Sequence, residues 1–209
     1  MKAEDNEVSI KGNWGSSHFA FVALLFFFSG LSSLIYQVIW TRQLVFVFGS
    51  TSFASATVLS VFMGGLAIGS FVAGKYADRL RNPFLWYGLL EGFIGIWAIL
   101  IPIFLIAAIP IYKIFWQMFH LDVLVFSLLR FAVMTVILLP PTACMGATLP
   151  LLSKFVTSSI EVVGNRVGLL YSINTLGAVL GAIAAGLLLI PQLGFTATPI
   201  SAAILNVSL

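Results

Sequence analysis

The sequence predicts an all-α integral membrane protein with about six transmembrane helices. Of its 209 residues, 60% are hydrophobic and only 8% are charged, whereas roughly a quarter of the residues in an ordinary soluble domain are charged. The mean hydropathy is +1.10. Residues 43–74 and 167–209 contain no charged side chain, and each stretch exceeds the roughly 20 residues that cross a bilayer. A soluble protein is therefore excluded.

The chain divides into a polar amino-terminal segment, residues 1–17, and a predicted six-helix transmembrane domain, residues 18–209. Turns or charged connectors separate the predicted spans, which cover about residues 19–40, 53–74, 84–109, 123–155, 167–190 and 195–209. The first span ends at Trp40, whose amphipathic ring suits the membrane interface. The last span is unusually short.

Two of these spans need a closer description. Residues 110–122, after the third span, alternate polar and bulky apolar side chains, which predicts a short helix lying in the interface. The fourth span is too long for one straight crossing, and Pro140 and Pro141 are expected to break it. Two half-crossings that form a re-entrant segment are the alternative.

The positive charges predict the orientation of the chain. If six spans cross, the amino terminus and the even connectors share one side of the membrane and hold seven basic residues, namely Lys2, Lys11, Lys75, Arg79, Arg81, Lys154 and Arg166. The odd connectors hold only Arg42 and Lys113. Because positive loops stay on the cytoplasmic side, we expect a multi-pass protein of the inner (plasma) membrane with a cytoplasmic amino terminus.

Glu91 and Arg130 are the two ionisable residues well inside apolar runs. A charge at that depth is costly unless it is paired or hydrated, so the two side chains are expected to be partners or to line a cavity. Helix rise per residue, counted inward from opposite faces of the membrane, gives the depth of each residue. At these depths the two long side chains would nearly meet. A structural ion pair and a polar substrate site remain equally open, and a desolvated Glu91 would suit a proton-coupled carrier.

Uncharged polar residues also interrupt the apolar runs. Tyr36 and Gln37 lie late in the first span, and Asn174 lies early in the fifth. These side chains are expected to form hydrogen bonds between helices, with cavity lining as the alternative.

Glycines recur at intervals of four residues, which allows helix backbones to approach closely in lipid. The predicted packing positions are Gly65, Gly69, Gly88, Gly92, Gly177 and Gly181.

Several functional classes have no support in the sequence. Basic residues are scattered among short connectors rather than gathered in a stripe, so nucleic acid is not an expected partner. The single cysteine, Cys144, and the isolated histidines make no metal-binding cluster. No nucleotide loop, nucleophile elbow or paired-histidine helix occurs, so no cofactor, metal or catalytic residue is predicted.

The connector after the second span, GKYADRLR, carries Gly74, Asp78, Arg79 and Arg81. It resembles the Gly-x-x-x-Asp-Arg cytoplasmic loop of the major facilitator superfamily, in placement as well as in letters. Asp78 could cap a helix, while Arg79 and Arg81 could anchor at lipid headgroups. The resemblance implies a major-facilitator-like half bundle.

A closer resemblance covers nearly the whole chain from Ser29 onward. The strings SGLSSLIYQVIWTR, FMGGLAIGS, MGATLP and LYSINTLGA, at residues 29–42, 62–70, 145–150 and 170–178, resemble the membrane part of bacterial fused major-facilitator/spermidine-synthase proteins. In that family the membrane helices precede a soluble aminopropyltransferase-like domain, whose glycine-rich cofactor loop has no counterpart here.

Three functions follow as expectations. The first is a membrane anchor or assembly module, a subunit of a larger complex in which a second copy or another membrane subunit covers the open side of the half bundle. The second is a transporter of a small polar or cationic solute such as a polyamine, with Glu91 attracting the charge. The third is the membrane part of a longer aminopropyltransferase-like enzyme.

Overall fold

The computed structural model describes residues 16–49, 51–119, 122–156 and 160–209, and nearly all of them are helical. The helices are α1 (Ser16–Phe48), α2 (Thr51–Tyr76), α3 (Pro83–Phe119), α4 (Val123–Val156), α5 (Ile160–Ala184) and α6 (Ile190–Val207). A 3-10 turn, Ala77–Arg79, follows α2, and a π-helical turn, Ala185–Leu189, joins α5 to α6. The predicted all-α class is confirmed, whereas the polar segment at residues 1–17 lies almost entirely outside the described residues.

Five helical stretches are long and apolar enough to cross a membrane: His18–Phe46, Ser52–Arg79, Pro83–Met118, Val123–Val156 and Gly164–Val207. These lengths and compositions make the chain a membrane-embedded protein. The first five predicted spans lie within these stretches, and the sixth, 195–209, extends two residues beyond the last one. The fifth stretch covers most of α5 and all of α6.

Within the fifth stretch the chain reverses direction at Gly194, whose φ of +73° is not helical. Gln43 donates to the Phe195 carbonyl near the end of α1, whereas Tyr36, two turns earlier, donates to Asn206. The segment after Gly194 therefore runs antiparallel to α1. It covers residues 195–207, or about 20 Å at 1.5 Å per residue, and is as short as the sequence indicates.

The separate interfacial helix predicted at residues 110–122 is not formed, because α3 continues without interruption to Phe119. Tyr112 is buried, and its ring packs against Phe126 at the start of α4 with 6.2 Å between centroids. Trp116 contacts the same ring. These contacts hold the last turns of α3 against α4. The residues after Pro110 therefore pack as a continuation of α3 rather than as a separate helix.

The predicted break at Pro140 and Pro141 is also wrong, since α4 is one helix through both prolines. Pro141 has no N–H to donate to the carbonyl four residues earlier, which belongs to Ile137. Trp97 of α3 supplies the missing donor, with Nε1 at 2.9 Å from the Ile137 oxygen. A neighbouring helix thus satisfies the freed carbonyl, which is the condition for a proline inside a membrane helix.

We expect Trp97→Phe to destabilise the protein by about 1–3 kcal/mol, because the Ile137 carbonyl loses its donor. In a Pro141→Ala background, the new backbone N–H can bond to Ile137, and the cost should fall by about 1 kcal/mol or more. Thermal unfolding followed by the reactivity of the Cys144 thiol measures both values. An equal cost in the two backgrounds would contradict this role for Trp97.

The six helices form two groups of three with matching contacts. Helix α2 packs along α4, as α5 packs along α1, while α3 packs on α4, as α6 packs on α1. Helices α1, α2 and α3 therefore correspond to α4, α5 and α6, because the main helix contacts stay the same when the two groups are exchanged. Because successive helices alternate in direction, the second group is inverted relative to the first.

Glycines make the closest contacts in both groups. A side chain at Gly65 or Gly69 would meet Thr142 or Ala143 of α4, and one at Gly177 or Gly181 would meet the α1 backbone at Phe27 or Leu31. These four predicted packing positions lie at helix contacts.

Gly88 and Gly92 differ from the other predicted packing glycines. No described atom lies within 4 Å of the position that a Cβ would take at either residue, so they make no close helix contact among the described residues and their packing role stays a prediction. Three glycines that the spacing missed, Gly30, Gly95 and Gly146, do contact neighbouring helices.

Candidate functional site

Glu91 lies on the buried face of α3. Tyr87, Glu91, Ile94, Ala98 and Ile101 are each 0% exposed, and their spacing of four, three, four and three residues places them along one side of a helix. The carboxylate therefore occupies a core position in an otherwise apolar face. It can remain there only if other groups satisfy its oxygens.

Two neutral side chains from other helices donate to this carboxylate. Ser29 of α1 donates from Oγ to Oε1, and Asn206 of α6 donates from Nδ2 to Oε2. Both donors are buried. The site therefore joins helices of the first group, α1 and α3, to the last helix of the second group. We call Ser29, Glu91 and Asn206 the carboxylate cluster.

Two tyrosines extend the cluster. Tyr36 donates from its hydroxyl to Asn206 Oδ1 at 3.1 Å, and its ring stacks on Trp40. Tyr87, one turn before Glu91 on α3, places its hydroxyl near the carboxylate without a hydrogen bond of standard geometry. The Tyr36 bond fixes the orientation of the Asn206 amide, because an Oδ1 that accepts from Tyr36 leaves Nδ2 to face Glu91.

The predicted pairing of Glu91 with Arg130 is wrong. Helices α3 and α4 are antiparallel, and the hydrogen bond from Trp97 to Ile137 shows that these two residues lie at the same height along the bundle. Glu91 precedes Trp97 by six residues and Arg130 precedes Ile137 by seven, so they lie on opposite sides of that height. At 1.5 Å per residue, about 20 Å separates them along the helix axes.

Arg130 instead lies at the other end of the bundle. Its guanidinium is 4.2 Å from the centroid of the Phe126 ring, a favourable cation–π distance. With Tyr112, Lys113 and Trp116 it lines a cavity of about 540 Å³. The alternative expectation for Arg130, a place in a cavity wall, describes its surroundings correctly.

A second cavity, of about 220 Å³, lies between α1, α2, α4 and α5, and we call it the hydroxyl cavity. Its polar lining residues are Ser29, Ser33, Ser70, Thr148, Tyr171 and Asn174. Apolar side chains, including Phe62, Leu66 and Met145, complete the walls. Ser29 belongs both to this lining and to the carboxylate cluster, and so it connects the two.

The three uncharged polar residues predicted to form hydrogen bonds or to line a cavity lie in different surroundings. Tyr36 joins the carboxylate cluster, and Asn174 lines the hydroxyl cavity while donating from Nδ2 to the Phe26 carbonyl at 2.9 Å. Gln37 is half-buried on α1 and does not line that cavity. Sequence reasoning missed Ser29 and Asn206, although each is a polar residue in an apolar run, as Asn174 is.

The predicted loop motif lies at one end of the bundle. Asp78 is in the 3-10 turn and makes no cap, contrary to expectation; it accepts from Lys154 at 3.0 Å and so links the ends of α2 and α4. Arg79 lies over the Tyr76 ring at 5.6 Å. Gly74 and Arg81 are exposed. An exposed ion pair of this type contributes only about 0–1 kcal/mol.

No known family model matches the chain, and no curated protein or solved structure has significant similarity to it. Within the described residues, no group of three or more His, Cys, Asp and Glu side chains could hold a metal ion. The chemistry that the structure presents is a buried carboxylate bound by neutral donors, next to a small polar cavity.

Proposed function

We propose that the chain is a membrane assembly module, one six-helix half of a major-facilitator-like body that works with a second copy or another membrane subunit. The inverted repeat of two three-helix groups supports this proposal, since such repeats build the halves of many secondary transporters. A half of that kind has one side that faces a partner.

The observation that carries the proposal is a pair of exposed small-residue faces on α2 and α5, the helices that the repeat relates. Ser60, Ala67 and Gly74 recur at intervals of seven on α2, and all three are exposed. On α5, the exposed residues Gly168, Ser172 and Thr175 follow one another at helical spacing. Small residues that face lipid allow another helix to approach closely.

We expect the wild-type protein to form assemblies of more than one copy in lipid nanodiscs, and the double variant Ala67→Leu Gly168→Leu to associate at least about tenfold more weakly. The larger side chains keep a partner helix from approaching. Native mass spectrometry measures the distribution of species. Gly88→Leu is the matched control, because Gly88 is exposed on α3, outside these faces. A wild-type monomer that is stable and functional would refute the proposal.

The same proposal places the protein in the inner (plasma) membrane with its amino terminus in the cytoplasm. Arg166 donates to the Val156 carbonyl and lies over Phe19 near the start of α1. Lys154 and Asp78 lie at this end as well. The start of α1 and the even connectors thus share one basic end of the bundle, and positive loops are retained on the cytoplasmic side.

A second candidate function is a carrier of a small polar or cationic solute. It is favoured by the carboxylate cluster, where the hydrogen-bond donors among the described residues are neutral. A buried acid in a membrane helix usually marks a substrate or proton pathway. The cluster also bridges the two inverted groups, which is where carriers of this architecture place their sites.

A further inference from the structure

Three of the hydroxyl groups that line the hydroxyl cavity have their hydrogens directed elsewhere. Ser29 donates to Glu91, Ser33 donates to the Ser29 carbonyl at 2.8 Å, and Thr148 donates to the Met145 carbonyl at 2.6 Å. A hydroxyl has one hydrogen and two acceptor lone pairs. These three groups can therefore offer a ligand only acceptor positions.

Asn174 adds a fourth acceptor. Because its Nδ2 donates to the Phe26 carbonyl, the amide is oriented, and Oδ1 remains as an acceptor. Beside the Ser70 and Tyr171 hydroxyls, which can donate as well as accept, the cavity thus offers three hydroxyl oxygens and one amide oxygen that can only accept. A ligand that brings several N–H donors would complement this set, whereas a ligand rich in acceptors would not.

The electrostatics favour a positive ligand. None of the described lining residues is charged, and the nearest carboxylate is Glu91, which lies behind the Ser29 hydroxyl. Lys154 and Arg166 are the cations nearest to the lining residues along α4 and α5, and each has a partner: Lys154 donates to Asp78, and Arg166 donates to the Val156 carbonyl and lies over Phe19. When it is ionised, Glu91 raises the local concentration of cations in this small cavity with apolar walls.

We propose that the hydroxyl cavity binds a small primary ammonium ion. The ammonium group donates to the Ser33, Thr148 and Asn174 oxygens near Ser29, and the alkyl chain packs against Phe62, Leu66 and Met145. A volume of about 220 Å³ limits the ligand to a short chain. Tyr171, which is 59% exposed, lies at the rim. The inference is independent of the assembly function and supplies a substrate class to the carrier candidate.

The test compares two cations of equal charge. n-Butylammonium and tetramethylammonium contain the same numbers of carbon and nitrogen atoms, but only n-butylammonium has N–H donors. Calorimetric titration of the wild-type protein in nanodiscs should show saturable binding of n-butylammonium and at least about tenfold weaker binding of tetramethylammonium. Equal binding of the two cations, or no binding of n-butylammonium, would overturn the inference.

Two substitutions test the acceptors without altering the carboxylate cluster. Thr148→Val keeps the side-chain shape and removes one oxygen, and Ser33→Ala removes another. Each should weaken n-butylammonium binding about tenfold or more. Thr135→Val is the matched control, because Thr135 also donates to a carbonyl one turn earlier on α4, that of Phe131, but is half-buried and does not line the cavity. Unchanged affinity in both cavity variants would also overturn the inference.

Native mass spectrometry of the same samples distinguishes this inference from the assembly proposal. Binding of n-butylammonium by a protein that remains monomeric would refute assembly with a second copy and support the ammonium site. An assembled protein that binds neither cation would refute the ammonium site alone. If Thr148→Val misfolds, Ser33→Ala and the comparison of the two cations on the wild type still decide the question.

Discussion

Gly65→Val should lower the thermal unfolding midpoint by roughly 5–10 °C, whereas Gly64→Val, one residue earlier, should change it little. Both substitutions change helix propensity equally, because both positions lie inside α2. Only Gly65 faces α4, where a Cβ would overlap Thr142 and approach the backbone at Ala143. The helices would have to separate, and overpacking of this kind costs about 1–3 kcal/mol or more.

The thiol of Cys144 provides the measurement, since it is half-buried next to the affected contact and reacts faster when the bundle opens. Gly181→Val repeats the test in the second group, where the added side chain would meet Leu31 of α1. Because the two groups repeat the same contacts, a similar loss is expected. If Gly64→Val and Gly65→Val unfold at the same temperature, the close packing of α2 on α4 is not what stabilises the bundle.

Glu91→Gln should reduce the uptake of labelled n-butylammonium into proteoliposomes at least about tenfold if the protein is a carrier. The substitution retains the shape of the side chain and removes the acid nearest to the hydroxyl cavity, so that the side chain can no longer carry a negative charge. The amide oxygen introduced by the substitution can still accept from Ser29, but the amide nitrogen places N–H against Asn206 Nδ2. We therefore expect an accompanying loss of stability of about 1–3 kcal/mol.

The stability loss must be separated from the loss of uptake. The unfolding midpoint of the Glu91→Gln variant is measured on the reconstituted protein, and uptake is compared at a temperature where the variant is folded. Asp122→Asn is the control, since Asp122 is an exposed acid outside the helices. Full uptake by folded Glu91→Gln protein would contradict the carrier candidate, while an uptake loss in Asp122→Asn would point to net charge instead.

Apolar run length predicted the helical class and most helix positions, because a membrane helix must satisfy its backbone internally. The helix boundaries that were predicted wrongly are at prolines. Pro110 and Pro141 looked like helix ends, yet α3 and α4 pass through them. At Pro141 the reason is a side chain on another helix, Trp97, which donates to Ile137. Such a donor is not visible in the local sequence.

The candidate site was predictable only in part. Glu91 was identifiable because it is a lone acid in an apolar run, but its partners were sought among charged residues. The structure satisfies it with Ser29 and Asn206 instead. Glycine spacing was similarly incomplete, since Gly88 and Gly92 have the same interval as Gly65 and Gly69 but lie away from any described neighbour.

The distance in sequence between the members of the carboxylate cluster dictates the order in which the site is built during synthesis. Ser29 leaves the ribosome before Glu91, but Asn206 follows Glu91 by 115 residues. When α3 enters the bilayer, its acid has one of its two donors, and an acid near the centre of a membrane helix costs about 2.5–3.5 kcal/mol on the insertion scale. Helix α6, which is made after the other five helices, therefore completes the site and fixes their arrangement around it.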